Sequence, residues 1–336
     1  MNSVQKKTKA LGLCSGGLDS ILAGMVLCGQ EIDVIWVSFE TPFFNADKAR
    51  TASEKTGIPL IVKDITDRYL PMLQDPPAGC GQCMNPCMDC HALMFKIAGE
   101  IMEEIGADFL FSGEVLGQRP MSQVRSSLRY VEKRSGFDGY ILRPLSAKKL
   151  PVTWMEEEGL VDRGRLLDFS GRSRKPQMAL AESFGITDYP APAGGCLLTD
   201  PGFSGRLKDL FLHGDNLSRR KLELLKYGRH MRLAPEAKLI VGRNKAENEK
   251  IISFFDSRED TLLRLCAIAG PVGLIPGSFP AELVKRAAGI CAGYSKAPRE
   301  RTVKVEIIPP GQSAKMVSVI PVNPKQASGL IIKPCK

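Results

Sequence analysis

Leu11-Gly12-Leu13-Cys14-Ser15-Gly16-Gly17-Leu18-Asp19-Ser20-Ile21-Leu22 sets an apolar run, a glycine turn and a second apolar run in succession. That is the pattern of a strand turning directly into a helix. Such a turn aims free backbone N–H groups and the positive end of a helix dipole at an anion. Gly16 and Gly17 let the backbone approach a phosphate closely and take positive φ. Ser15 and Ser20 add hydroxyl donors. Asp19 does not attract phosphate by charge, so its expected task is to hold Mg²⁺ or to orient the loop.

Outward from this stretch the chain alternates. Residues 32–39 read as a buried strand, 46–56 as a helix, and 58–62 as a short strand. A further apolar strand, Phe109-Leu110-Phe111-Ser112, ends in Gly113. Repeated strand–helix alternation predicts an α/β fold, a parallel sheet with helices on both faces. Ligands of such sheets sit at the carboxyl ends of the strands. That rule puts the Ser-Gly-Gly loop, Glu40–Phe44 by position, and the Gly113 loop on one rim. Helices are expected near 151–158 and 178–184, with a basic loop at 171–177 between them.

The 336 residues suffice for two domains, read here as 1–202 and a smaller α+β domain at 203–336. Residues 1–202 hold 22 basic and 25 acidic side chains, whereas 203–336 hold 24 basic and 12 acidic ones. The back part is strongly basic, and Tyr227 is interleaved among its cations, which points to a nucleic acid partner. No signal peptide and no run of membrane-spanning length is visible. A cytoplasmic protein without a membrane partner is expected, so its ten cysteines read as metal or redox groups rather than disulfides.

Four of those cysteines fall together: Cys80-Gly81-Gln82-Cys83-Met84-Asn85-Pro86-Cys87-Met88-Asp89-Cys90-His91. An apolar helical pattern follows, so Cys87 and Cys90 sit at a helix start, where the dipole is expected to lower the thiol pKa. The spacing leaves three readings open: structural zinc, a redox pair, or an iron–sulfur cluster completed from elsewhere. Cys266 and Cys291 lie in apolar contexts and read as packing residues. His213 and His230 read as surface histidines.

The Ser-Gly-Gly-Leu-Asp-Ser element resembles the PP-loop of the ATP pyrophosphatases, of adenine nucleotide alpha hydrolase-like fold. Asn85-Pro86…Cys90-His91 resembles an element of the tRNA 2-thiouridylases. Those families pair it with a later Gly-x-Cys element, here Gly194-Gly195-Cys196. In their iron–sulfur members three such cysteines hold a 4Fe-4S cluster. The resemblance therefore makes Cys87, Cys90 and Cys196 the metal ligands, with zinc as the alternative metal, and leaves Cys80 and Cys83 outside the pattern. Gly113, Gly117 and Gln118 match, in register, a segment of tRNA 4-thiouridine synthases that lies near the nucleotide and the acceptor base; Ser122-Gln123 arrives one residue late. Arg143-Pro144-Leu145 matches another element, with Arg143 either pinning loops or contacting phosphate. Val241-Gly242-Arg243-Asn244 through Asn248 resembles the NFACT-R domain of ribosome-associated proteins. There is no room before Leu11 for the N-terminal RNA-binding domain of the 4-thiouridine synthases, so their substrate is not carried over.

What the resemblance implies is an ATP-dependent tRNA sulfurtransferase. ATP and Mg²⁺ occupy Ser15, Gly16, Gly17, Asp19, Ser20, Gly113 and Gln118, and Asp19, Cys90 and Cys196 carry the chemistry. Its partners are tRNA or a related RNA, a sulfur donor (sulfide or a cysteine desulfurase) and a second copy in a homodimer. The alternatives are a cluster-free persulfide relay between Cys90 and Cys196, and a nucleotide-sensing RNA- or ribosome-binding protein.

Overall fold

The computed structural model describes residues 7–81, 83–191, 196–214 and 217–335. Two compact units divide the chain, Met1–Leu197 and Leu198–Lys336. The first begins β1 (Lys9–Leu13), α1 (Leu18–Cys28), β2 (Asp33–Glu40), α2 (Asp47–Thr56), β3 (Leu60–Asp64) and α3 (Thr66–Gln74). It continues with α4 (Cys87–Glu104), β4 (Phe109–Ser112), α5 (Arg125–Ser135), β5 (Ile141–Leu142), α6 (Trp154–Glu157) and α7 (Lys175–Ser183).

Its five strands run in the order β3-β2-β1-β4-β5, every neighbouring pair parallel. The order reverses at β1, and β1 therefore opens a crevice at its carboxyl end, where the Ser-Gly-Gly loop begins. Leu11 sits between Ile35 of β2 and Leu110 of β4. Ala10 and Leu11 are buried, as are Leu18, Leu22 and Trp36 above them. Right-handed crossovers carry α1 and α2 over one face, while α4 and α5 pack together on the other. The expected α/β class with helices on both faces is what forms.

Several local expectations shift. α6 is a single turn, shorter than 151–158, because its Thr153–Glu156 capping box starts it late. α7 starts at Lys175 with Pro176 in its first turn, so half of the expected basic loop is helix; proline there is preorganised for a helix start.

The second unit holds α8 (Pro201–Leu212), α9 (Arg219–Leu224), β6 (Arg229–Ala234), β7 (Ala237–Val241) and α10 (Lys245–Ser253). After these come β8 (Asp260–Leu265), β9 (Gly273–Pro276), α11 (Ala281–Gly293), β10 (Val303–Ile308), β11 (Lys315–Val319) and α12 (Pro324–Ala327). The strand order is β11-β10-β8-β9-β7-β6, antiparallel throughout. Asn248 accepts from Val272 N–H and donates to the Gly270 carbonyl, tying α10 to the segment that enters β9. Two expectations fail here. His230 is buried, not superficial, because it faces inward from β6 with Nε2 against the Tyr227 carbonyl. Cys266 is exposed, because β8 ends one residue before it; Cys291 is buried as expected. Among the described residues no helix is long and apolar enough to cross a membrane.

Candidate nucleotide and thiol site

Gly16 takes φ +69, and a Cβ there would lie 2.3 Å from the Lys48 carbonyl oxygen, where α2 begins. Only glycine allows this approach. Gly17 departs from the expectation: its φ is −81 and it serves as the N-cap of α1. No side chain caps that helix, so its first-turn N–H groups are left to a ligand rather than to the protein. Ser20 also departs from its expected role, since its hydroxyl donates to the Gly17 carbonyl at 2.8 Å and stiffens the loop.

The β4 loop closes the other side. A Cβ on Gly113 would stand 2.4 Å from the Asp19 carbonyl. Gln118 donates through Nε2 to Asp19 Oδ2 at 2.9 Å. The other oxygens of the pair, Asp19 Oδ1 and Gln118 Oε1, are buried with no hydrogen-bond partner. Two unmet acceptors beside an anion-binding turn suit a hard cation such as Mg²⁺. Glu40 ends β2 on the same rim, as expected by position, and accepts from Ala46 N–H and from Arg50.

Beneath this rim lies a charge network that local sequence did not announce. Glu114 accepts from Ser112 Oγ at 3.1 Å and from Arg143 Nε at 3.0 Å, and pairs with His91 Nδ1 at 3.0 Å. Arg143 also bonds Glu132. Burial pushes the Glu114 carboxyl up, but the Arg143 charge and the His91 hydrogen bond overcome it and bring the pKa down to about 2. Arg143 is buried against these carboxylates, so of its two expected roles the geometry gives loop pinning.

The thiols gather next to His91. Asp89 in the first turn of α4 accepts from Ala78 N–H at 2.8 Å and from the Tyr130 hydroxyl at 2.7 Å, which fixes the cysteine loop to α4 and α5. Asn85 Oδ1 is 3.8 Å from Cys196 Sγ. Burial pushes the Cys90 thiol up to about 12; a hydrogen bond with Tyr69 acts the other way, and Cys196 and Cys87 push it up further. The expected lowering by the helix dipole is thus overturned, because burial outweighs a dipole effect that is typically worth about 1 kcal/mol or less. Tyr69 of α3, absent from the sequence reading, is fully buried, with its ring 5.7 Å from Phe43 and 5.4 Å from Phe44. Its hydroxyl bonds Cys90, and Cys87 and Cys196 lie near enough to act on it electrostatically. Pro192 to Gly195, which carry the expected Gly-x-Cys lead, lie outside the described residues. Among the described residues no group of three or more His, Cys, Asp or Glu side chains is arranged to hold a metal ion. Cysteine sulfur is the donor type that an iron–sulfur cluster takes, but the described residues do not set three such sulfurs as a ligand group.

A Ser-Gly-Gly turn sits at the reversal point of a parallel sheet, with a carboxylate in the first helical turn, an arrangement suited to a nucleotide's phosphates. A tRNA-specific 2-thiouridylase MnmA of Cutibacterium acnes is 25% identical over 224 residues, which is 60% of this chain and 57% of that protein. The "Probable tRNA sulfurtransferase" of Caldanaerobacter subterraneus subsp. tengcongensis is 28% identical over 127 residues, covering 35% of this chain and 32% of its own length. One of the same name from Lysinibacillus sphaericus is 29% identical over 160 residues, covering 45% and 38%. The chain spans little more than half of the first relative and under two fifths of the other two. Residues 228–330 match the NFACT protein RNA binding domain. Among solved structures, a predicted subunit of a tRNA methyltransferase from Methanocaldococcus jannaschii overlaps with a TM-score of 0.34 at 14% identity, over 52% of this chain and 76% of that one. The chain is therefore similar to tRNA thiouridylases and sulfurtransferases, and over residues 228–330 to the NFACT protein RNA binding domain.

Proposed function

We propose that the protein thiolates a uridine of tRNA, or of a related RNA, at the expense of ATP. The observation that supports the reading is that one compact unit contains an uncapped Ser-Gly-Gly helix start with Asp19 and Gln118 beside it, and Cys90 bonded to Tyr69 with Cys87 and Cys196 near enough to act on both electrostatically.

In this reading the triphosphate lies on the loop from Ser15 to Gly17, and Asp19 and Gln118 hold its Mg²⁺ through their unmet oxygens. The uridine carbonyl oxygen attacks the α-phosphorus. The bond to the β-phosphate breaks, and pyrophosphate leaves against the loop N–H groups. A sulfur nucleophile then adds at the activated carbon and AMP departs with the original oxygen. Cys87, Cys90 and Cys196 would hold a 4Fe-4S cluster, which when bound supplies a Lewis-acidic iron for hydrosulfide. Tyr69 offers its hydroxyl to Cys90, and Glu114 with Arg143 holds His91 and the β4 loop in place. The basic second unit supplies affinity for the RNA backbone independent of sequence.

The test is mass spectrometry of tRNA nucleosides from a strain lacking the protein, with wild type, Asp19→Asn and Cys196→Ser supplied back. One thiolated nucleoside disappears and returns only with wild type. If every thiolated nucleoside persists in the deletion strain, the reading fails. Iron and acid-labile sulfide assays on anaerobically purified protein separate the cluster from a zinc site or a persulfide relay.

A further inference from the structure

We infer that Cys14, a thiol the proposed chemistry does not use, is a positioning residue of the nucleotide loop: its sulfur closes a hydrogen-bond circuit beneath Gly16 and Gly17 and leaves the Ser15 hydroxyl and the first turn of α1 to hold the phosphates. The ligand rests on the nucleotide reading proposed above; the circuit rests on the contacts that follow.

Cys14 continues the β1 ladder, its N–H donating to the Val37 carbonyl of β2 at 2.9 Å. The residue is 3% exposed and belongs to the core cluster that also holds Leu18 and Ile21 of α1. Its sulfur accepts from Gly16 N–H at 3.4 Å and lies 3.8 Å from Ser20 Oγ. A neighbouring bond fixes the sense of that second contact. A hydroxyl has one hydrogen, and Ser20 commits it to the Gly17 carbonyl at 2.8 Å. The Cys14 S–H therefore donates to Ser20 Oγ, and the sulfur lone pairs are left for Gly16. The bonds run from Gly16 N–H to Cys14, from Cys14 S–H to Ser20, and from Ser20 O–H to the Gly17 carbonyl, so the circuit begins and ends on adjacent residues of the turn. Burial pushes the Cys14 thiol up to about 11 and keeps that hydrogen on the sulfur. A thiolate would have nothing to give Ser20 and would set a negative charge beneath the anion.

The circuit sorts the donors of the loop. The Gly17 carbonyl also accepts from Ile21 N–H at 3.2 Å, so its negative end is held by α1. Gly17 N–H donates to Ser15 Oγ at 3.3 Å. Both glycine N–H groups are thus bonded within the loop. What faces an anion is the hydroxyl hydrogen of exposed Ser15 and the N–H groups of Leu18, Asp19 and Ser20 in the uncapped first turn of α1. Gly16 is buried, and without the sulfur its N–H is a buried donor with no acceptor. Turning the Ser15–Gly16 peptide outward relieves that and displaces Gly16 from its φ of +69 beside Lys48.

The test uses the full chain, first without ligand and then with a non-hydrolysable ATP analogue, inorganic pyrophosphate or adenosine. Cys14→Val and Cys14→Ala remove the acceptor, whereas Cys14→Ser keeps it. In ligand-free protein, amide hydrogen exchange at Gly16 read by NMR is expected to be roughly 10-fold or more faster in Cys14→Val and Cys14→Ala than in wild type, and within about 3-fold of wild type in Cys14→Ser. By calorimetry the same two variants bind pyrophosphate and the ATP analogue roughly 10-fold more weakly, the factor that one lost hydrogen bond sets. Cys14→Ser stays within about 3-fold, and adenosine affinity is the same in all four proteins. A variant that merely loosened the fold would lose adenosine too. The inference is overturned if Gly16 exchanges as fast in wild type as in Cys14→Val, if Cys14→Val and Cys14→Ala bind pyrophosphate as wild type does, if Cys14→Ser loses as much as they do, or if adenosine affinity falls alongside. The nucleotide reading fails separately: wild type that binds neither the ATP analogue nor pyrophosphate removes that reading, and the task of Cys14 with it, whatever Gly16 exchange shows.

Discussion

Replacing Arg143 with methionine removes the cation that sustains Glu114 in its buried position. The carboxyl falls from an ordinary 4.5 to about 2, which corresponds to about 3 kcal/mol in favour of the charged form. Its folded pKa is depressed. The stabilisation is therefore complete above pH 4.5 and is lost as pH falls toward 2. Without Arg143, Glu114 loses its nearest charge partner, and Glu132 loses one as well. A buried charge stranded in this way costs about 3–5 kcal/mol. Glu114→Gln alone is expected to cost less, about 1–2 kcal/mol, because the amide still accepts one hydrogen bond. The pair Glu114→Gln with Arg143→Met is expected to recover most of the loss. Urea unfolding followed by tryptophan emission isolates the relevant part of the molecule, since the chain has two tryptophans, Trp36 and Trp154, both in the first unit. The gap between wild type and Arg143→Met should narrow as pH falls, starting above 4.5, because burial without the Arg143 charge raises the Glu114 carboxyl and lets it protonate early in the variant. A cost below about 1 kcal/mol at neutral pH, or a gap that does not change with pH, would refute the argument that Arg143 holds a buried carboxylate.

Other outcomes follow from single distances. Gly113→Ala sets a methyl 2.4 Å from the Asp19 carbonyl, so the β4 loop must move; ATP affinity measured by calorimetry is expected to drop roughly 10-fold or more, against little change for Gly329→Ala, which has open space and no positive φ. Cys90, with its thiol pushed up to about 12, is about one part in ten thousand thiolate at pH 8. In metal-free protein, mass spectrometry should find exposed Cys266 and Cys80 alkylated by iodoacetamide long before Cys90. Affinity for tRNA is expected to fall linearly on a log–log plot against salt, and charge-reversing substitutions at Lys250 and Arg229 to flatten the slope by about one each if both meet phosphate.

The fold class was legible because its signals are local. Gly16 and Gly17 between two apolar runs specify a turn wherever they occur, and the strand at Phe109 ends in a glycine for the same reason of close approach. Tyr69 and Glu114 were not legible. Each matters through partners brought in by the fold: Cys90 from another helix, Arg143 and His91 from a later strand end and an earlier helix. The thiol pKa of Cys90 failed for a related reason. A helix start is visible in sequence, but the burial that outweighs it is not. His230 shows the converse, since a lone histidine among cations looks superficial until β6 turns it inward.

Cys196 meets Asn85 across 111 residues of chain, one position before the first unit ends. Closing a loop of that length costs roughly 4 kcal/mol of chain entropy before any contact repays it. During synthesis the unit has nearly all emerged before its third thiol exists. A truncated or nicked front unit would retain the Ser-Gly-Gly turn and Asp19 but lack Cys196. On the proposed reading, the thiol site reports on completeness: a fragment that stops short of Cys196 contains the Ser-Gly-Gly turn but cannot gather all three thiols.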